Sequence, residues 1–191
     1  RPFLRSDDRT LSYAQAQSEV NRIANVLTVD LGLVPGNRVL LRGGNSVAMA
    51  LAWLATVQSG LVAVATMPLL RAKELAAIVA KSQPVLALCD VKLQDELKTA
   101  LAAEPATAGM KLLVFNTGGA EVPHSLEKLA ERQFEHSTAC PTAATDIALL
   151  AFTSGTTGTP KAAVHTHRDV LASCETWPRH VLRATPEDIV M

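Results

Sequence analysis

Apolar residues in this chain recur at two spacings that keep changing places. Val20, Ile23, Leu27 and Leu31 follow one another at helical intervals behind Ser12-Tyr13-Ala14-Gln15, a capping-box sequence, and the run predicts a first helix that ends at Gly32. Pro35-Gly36 then turns the chain into Arg38-Val39-Leu40-Leu41, a short continuous apolar run of the kind buried in a parallel sheet. Gly43-Gly44-Asn45 leads into a helix over residues 46–59 that is apolar nearly all round. Because Met49, Trp53, Leu54 and Val57 cannot all face one partner, that helix is expected between the sheet and a further layer, with Trp53 buried.

The alternation continues through a strand at 61–65, a helix at 71–81 with Leu75, Ile78 and Val79 inward, and a strand at 85–89. A helix at 93–103 and a strand at 111–115 follow. Residues 1–10 read as a polar lead-in with a short strand and turn. Between 117 and 146 the pattern weakens to one short helix at 125–132 and a Ser-Thr-Ala-Pro stretch, which reads as a lobe-to-lobe connection. Ile147 to Phe152 is expected as a buried strand, and a helix from His167 must kink or stop at Pro178, whose ring removes an N–H and clashes one turn back. Strands and helices alternating over short connections predict an α/β fold, a doubly wound, mainly parallel sheet with helices on both faces and right-handed crossovers.

Composition narrows the function classes. With 191 residues and 48% hydrophobic content the chain can bury a core, as one domain or two small lobes. Lys plus Arg and Asp plus Glu number 18 each, and no basic face interleaved with aromatics argues for nucleic acid or an anionic membrane surface, so small-molecule partners are expected. No charge falls between Arg42 and Arg71, long enough to raise a membrane span, but Gln58-Ser59-Gly60 interrupts it and Met67-Pro68 closes it. Cys89, Cys140 and Cys174 are widely spaced and odd in number, which is no disulfide framework and fits a cytoplasmic setting. The chain begins at Arg1 rather than methionine and stops on Asp188-Ile189-Val190-Met191, which reads as the opening of another strand; the expectation is an excised fragment.

Candidate chemistry concentrates in Phe152-Thr153-Ser154-Gly155-Thr156-Thr157-Gly158-Thr159-Pro160-Lys161. Following an apolar strand, this loop is expected at the carboxyl end of a sheet, where ligands of open α/β folds collect. Its glycines let backbone N–H groups approach an anion, its hydroxyls can donate further bonds, and the Lys161 ammonium supplies charge, a set suited to phosphate. It is no Walker A loop: Pro160 precedes the lysine and Ala162-Ala163-Val164-His165 continues as a strand. Other constellations are weaker. His165 and His167, two apart and expected on one strand face, could form a metal site with Cys140 or His136, but ordinary packing or helix-entry histidines are the favoured reading. Asp7-Asp8 and Asp30 fall in solvated, turn-like positions, and Ser154 lacks the flanking glycines of a nucleophile elbow.

Residues 153–161 resemble the phosphate-binding signature of the adenylate-forming (AMP-dependent) synthetase and ligase superfamily, with one departure: Ala162 stands where that family usually has glycine. The stretches 60–75, 87–90 and 165–169 are similar to its benzoate and 2-aminobenzoate CoA-ligase branch. The resemblance implies that residues 1–191 are the N-terminal α/β portion of the large domain of such a ligase. It implies substrates ATP, coenzyme A and a small, aromatic carboxylate, with Mg²⁺ assisting, and two steps: formation of an acyl adenylate with loss of pyrophosphate, then displacement of AMP by the thiol. In that setting Thr153, Ser154, Thr156 and Thr157 donate hydroxyls, Gly155 and Gly158 backbone N–H groups and Lys161 its charge, and no other catalytic or metal-holding residue is expected within the chain. The family's adenine and ribose contacts, acyl pocket, metal-holding glutamate and catalytic lysine would lie beyond Met191, which makes the chain by itself inactive. A non-catalytic phosphate- or nucleotide-binding module using the same loop is the alternative.

Overall fold

The chain opens with a small antiparallel pair, β1 (Pro2–Arg5) and β2 (Thr10–Ser12), and Ser12 caps α1 (Tyr13–Asn25). The expected capping box is present: the Gln15 N–H donates to the Ser12 hydroxyl at 3.3 Å, while the Ser12 N–H donates to the Gln15 side chain at 2.9 Å. The helix widens into a π-helical turn over Val26–Asp30, and the chain reverses at Gly32 with φ +65°. In this computed structural model the described residues are 1–7, 9–104, 109–120, 122, 124–153, 160–185 and 187–188.

Four strand and helix pairs follow, then two strands and a last helix. The first pairs are β3 (Arg38–Arg42) with α2 (Val47–Gln58), β4 (Val62–Thr66) with α3 (Ala72–Ser82), and β5 (Leu86–Asp90) with α4 (Gln94–Ala103). Next come β6 (Lys111–Phe115) with a short α5 (Leu126–Ala130), then β7 (Ile147–Thr153), β8 (Lys161–Thr166) and α6 (His167–Thr176). Six strands form one sheet in the order β6-β5-β3-β4-β7-β8, parallel at every pairing except the antiparallel edge pair β7-β8. All five strands expected from the apolar runs are present within a residue or so of their predicted starts.

Period-2 alternation sorts the strand side chains between two cores. Val39, Leu41, Leu86 and Leu88 pack with α1, α2 and α5, whereas Leu40, Ala87 and Cys89 pack with Leu75 and Val79 of α3 and Leu97 and Ala100 of α4. Helices therefore cover both faces, the arrangement that parallel strands with apolar runs require. No helix among the described residues is long and apolar enough to cross a membrane.

Residues 131–142 run along α1 and are tied down by its polar side chains. Asn21 donates to the Glu135 carbonyl at 2.7 Å, Arg22 to the Gln133 carbonyl at 2.6 Å, and Asn25 to those of Phe134 and His136, both at 3.0 Å. The Cys140 N–H donates to the Gln58 carbonyl at 2.8 Å and brings its sulfur against Gly60.

Three expectations need correction. Trp53 is only partly buried, because the sheet-facing side of α2 is built from Leu51, Ala52 and Ala55, which leaves Trp53 and Leu54 on its flank. β7 is half-exposed rather than buried, with Ala148 its one fully buried residue, because it lies next to the edge strand β8, where Leu149 reaches the core of α1 and α2 but its neighbours stay half-covered. His165 and His167 do not share a strand: β8 ends at Thr166, which caps α6, and His167 is the first helical residue. The α-helix stops at Thr176, before Pro178 would fall in its interior, and the chain continues as a π-helical turn over Trp177–Leu182 with Pro178 in its first turn.

Candidate functional site

Every parallel strand of the sheet runs in one direction, so the loops after β3, β4, β5, β6 and β7 leave from one edge. β7 and β8 form a hairpin there. Their register ends on Thr153 opposite Lys161, so the two described ends of the signature face each other across its mouth. Ser154, Gly155, Thr156, Thr157, Gly158 and Thr159 lie outside the described residues, and with them the middle of the expected phosphate loop. Thr153 and Lys161 are both exposed, and among the described residues Lys161 makes no ion pair. A cation whose charge is not neutralised by a neighbour is what an incoming polyphosphate needs. From outside the hairpin, Lys81 Nζ on α3 donates to the Pro160 carbonyl at 3.2 Å.

β4 lies beside β7. Ala63, Val64 and Ala65 pair with Leu149, Leu150 and Ala151, and in that register Met67 and Thr153 stand at the same height, two residues further on. The loop over residues 67–70 therefore leaves β4 on the side of β7 away from β8, at the height of the root of the signature. It is held from below by Arg42, the last residue of β3, a residue the apolar pattern treats as a boundary and gives no role. Arg42 is 1% exposed. Its Nη1 donates to the Met67 carbonyl at 3.1 Å, its Nη2 to those of Pro68 at 3.3 Å and Leu70 at 2.9 Å, and its Nε to that of Leu93 at 3.2 Å. Bonds from a charged donor are worth about 1.5–3 kcal/mol each, which offsets the loss of hydration that burial imposes. That same burial lowers the pKa of the guanidinium, an effect opposed by Cys89 and Glu96. Arg42, Arg71, Lys92 and Glu96 line a cavity of about 340 Å³ at this point. Arg71 pairs with Glu96 at 2.9 Å, and the other oxygen of Glu96 accepts the Ala72 N–H at 2.8 Å, closing the amino end of α3; Arg71 and then Ala72 hold the Glu96 carboxyl below its ordinary range.

A second polar cluster forms at the far strands of the same edge. Asn116, at φ +58°, donates to Asp90 Oδ2 at 2.8 Å and to the Ser46 hydroxyl at 3.2 Å, and its N–H donates to Glu127 Oε1. This cluster borders a cavity of about 770 Å³ between α1, α2 and α5. It stands across β3, β5 and β6, away from the hairpin that carries the signature. The suggested histidine and cysteine metal site does not assemble: among the described residues no group of three or more His, Cys, Asp or Glu could hold a metal ion.

A family model described as AMP-binding enzyme matches residues 1–191. Benzoate–CoA ligase from Thauera aromatica is 27% identical over 184 residues, covering 96% of this chain and 34% of that protein. Among solved structures, the anthranilate CoA ligase AuaEII in complex with anthranoyl-AMP superposes with a TM-score of 0.86 at 24% identity, over 95% of this chain and 34% of that one. ATP-bound MatB from Rhodopseudomonas palustris superposes with a TM-score of 0.79 at 30% identity, over 94% of this chain and 34% of that one. The chain thus spans about a third of the length of each of these relatives.

Proposed function

The chain belongs to the family of AMP-binding enzymes, and on that footing we propose that it is the phosphate-handling, N-terminal part of the large domain of an ATP-dependent acid–thiol ligase that works in the cytoplasm. The observation that carries the reading is the hairpin mouth at the carboxyl edge, where Thr153 faces an exposed Lys161 free of ion pairs among the described residues. The names of the relatives supply the substrates: a benzoate–CoA ligase and an anthranilate CoA ligase support a small aromatic carboxylate with coenzyme A, and an ATP-bound relative supports ATP. That ligases match nearly the whole chain speaks against a non-catalytic phosphate-binding module.

In the first step a carboxylate oxygen forms a bond to the α-phosphorus of ATP while the bond to the bridging oxygen of the β-phosphate breaks, and pyrophosphate leaves with that electron pair. In the second, the thiol sulfur of coenzyme A bonds to the acyl carbon, AMP departs, and the thiol proton is released. Lys161 acts in the first step, where charge accumulates on the departing phosphates and a fixed ammonium stabilises it. The Thr153 hydroxyl donates to a phosphate oxygen beside it, and Ser154, Gly155, Thr156, Thr157 and Gly158 complete the cradle. A divalent cation such as Mg²⁺ on the phosphates would share that neutralisation, and no described residue of this chain is assigned as its ligand.

Carboxylate-dependent pyrophosphate release by the enzyme, assayed with benzoate and 2-aminobenzoate, tests the reading. Lys161→Ala is expected to lower the rate of adenylate formation by about 100–1,000-fold, the range for loss of one charge-stabilising group, while carboxylate binding changes little. Unchanged turnover in a Lys161→Ala enzyme with a normal thermal melt would refute the role given to the hairpin.

A further inference from the structure

Arg42 is spent on main chain alone. Its four hydrogen bonds end on carbonyl oxygens, three of them in residues 67–70 and the fourth in the turn after β5, and it makes no ion pair among the described residues. A guanidinium can serve this way because its donors lie in a rigid planar fork, whereas a lysine at the same place would reach one or two of the carbonyls. Apart from Arg42 the loop is anchored at its end, where partly buried Leu70 packs against the core of α3 and α4, while its first three residues lie in solvent. Pro68 has no N–H, the Leu70 N–H donates to the Met67 carbonyl at 3.2 Å, and Leu69 is 83% exposed, with Met67 exposed beside it. A segment with two apolar side chains in water and one internal bond would otherwise sample many arrangements. The register of β4 on β7 places this segment beside Thr153, and Glu96 closes its far end at Ala72.

We propose that Arg42 is a positioning residue for carboxylate activation: it touches no substrate, and by gripping the carbonyls of residues 67, 68 and 70 it holds that loop as a fixed wall beside the root of the phosphate hairpin. The proposal rests on the ligase reading above. A wall misplaced by about 1 Å can cost on the order of 100-fold in rate even when it carries no reacting group.

Arg42→Met keeps the length and loses every donor; Arg42→Lys keeps the charge; Pro68→Gly loosens the loop and leaves Arg42 in place. Each is compared with the wild-type enzyme by hydrogen exchange at the amides of residues 67–72 and by pyrophosphate-release kinetics well below the melting temperature. The expected result for Arg42→Met is faster exchange confined to this segment together with a fall of about 10–100-fold in kcat, at a little-changed KM for the carboxylate, and Arg42→Lys is expected to recover part of both. A merely stabilising arginine would lower the melting temperature and leave kcat alone. Wild-type exchange in Arg42→Met, or wild-type kcat in spite of loosened exchange, overturns the proposal. If Arg42→Met fails to fold, Pro68→Gly must show the same loss in kcat, and wild-type kinetics in that variant overturn the proposal equally. Should the wild-type enzyme release no pyrophosphate with any carboxylate, the ligase reading fails by itself, and the exchange measurement alone then upholds or overturns the grip of Arg42 on residues 67–72.

Discussion

Gly60 sits where two constraints meet. Its φ of +70° lies in the left-handed region, and a Cβ built on it would stand 2.6 Å from the sulfur of Cys140, on the strap that crosses α1. Gly60→Ala is therefore expected to destabilise the fold by about 1–3 kcal/mol from backbone strain alone, with contact against Cys140 adding to it, as a urea titration would show. Cys89 is governed by burial in another way. Removal from water pushes its thiol up to about 12, the largest influence on it, while the Arg42 charge pulls the other way. Since the thiolate is the nucleophile, iodoacetamide at pH 8.5 should label exposed Cys174 in the folded protein and spare Cys89, and labelling both at equal rates would contradict the core placement. The sign for stability follows: the contribution of a neutral Cys89 is whole below its ordinary value of 9.0 and is lost as pH rises from there towards about 12.

Elements start where their capping residues stand. Ser12, Ser46, Ser125 and Thr166 each accept a backbone N–H at the head of a helix, and the sequence announces them because capping is a local exchange between residues three apart. For α6 the exchange is ionic. The Thr166 N–H donates to Asp169 Oδ2 at 2.7 Å and the Thr166 hydroxyl at 2.8 Å, and those bonds, the backbone one first, hold the Asp169 carboxyl below its ordinary value of 3.8. A lowered carboxylate pKa contributes stability above the unfolded value and loses it as pH falls through the folded one, so the head of α6 should fray below about pH 3.8, the unfolded value. Amide chemical shifts of Thr166 and Asp169, followed from pH 5 to pH 2, should report that transition, and it should vanish in Asp169→Asn. If the two shifts move at different midpoints, the box is not the titrating unit.

Across the whole molecule burial is lopsided. The sheet is covered on both faces from β6 to β4, yet on the β8 and α6 side Leu171 is 64% and Trp177 58% exposed, with Val164, Val181 and Leu182 exposed near them. So much apolar surface together invites association. Residues 1–191 on their own should therefore bind a hydrophobic dye and self-associate in sedimentation, and Leu171→Ser with Trp177→Ser should reduce both. Because an adenylation transition state needs acid, ATP and metal positioned together, which supplies about 7–11 kcal/mol of barrier lowering, the same residues alone should release no pyrophosphate; turnover by them would mean that the site is complete within this third of the relatives' length.

The sequence by itself determined the elements and their order, since helical and strand periods, caps and turn glycines act over a few residues and leave their marks at fixed spacing. It also determined that the sheet is mainly parallel, because a helix between successive strands carries the chain back to start the next strand in the same direction. Tertiary structure alone decided which flank of α2 is covered, and so why Trp53 stays partly exposed. It decided that β8 folds back on β7, setting Lys161 opposite Thr153, and that Arg42, at the end of an apolar run, lies under the loop of a neighbouring strand. The hairpin rests on pairings between β7 and β8, and the grip of Arg42 on hydrogen bonds to Met67, Pro68, Leu70 and Leu93, residues 25 or more away in the chain, and no local period records a partner at either place.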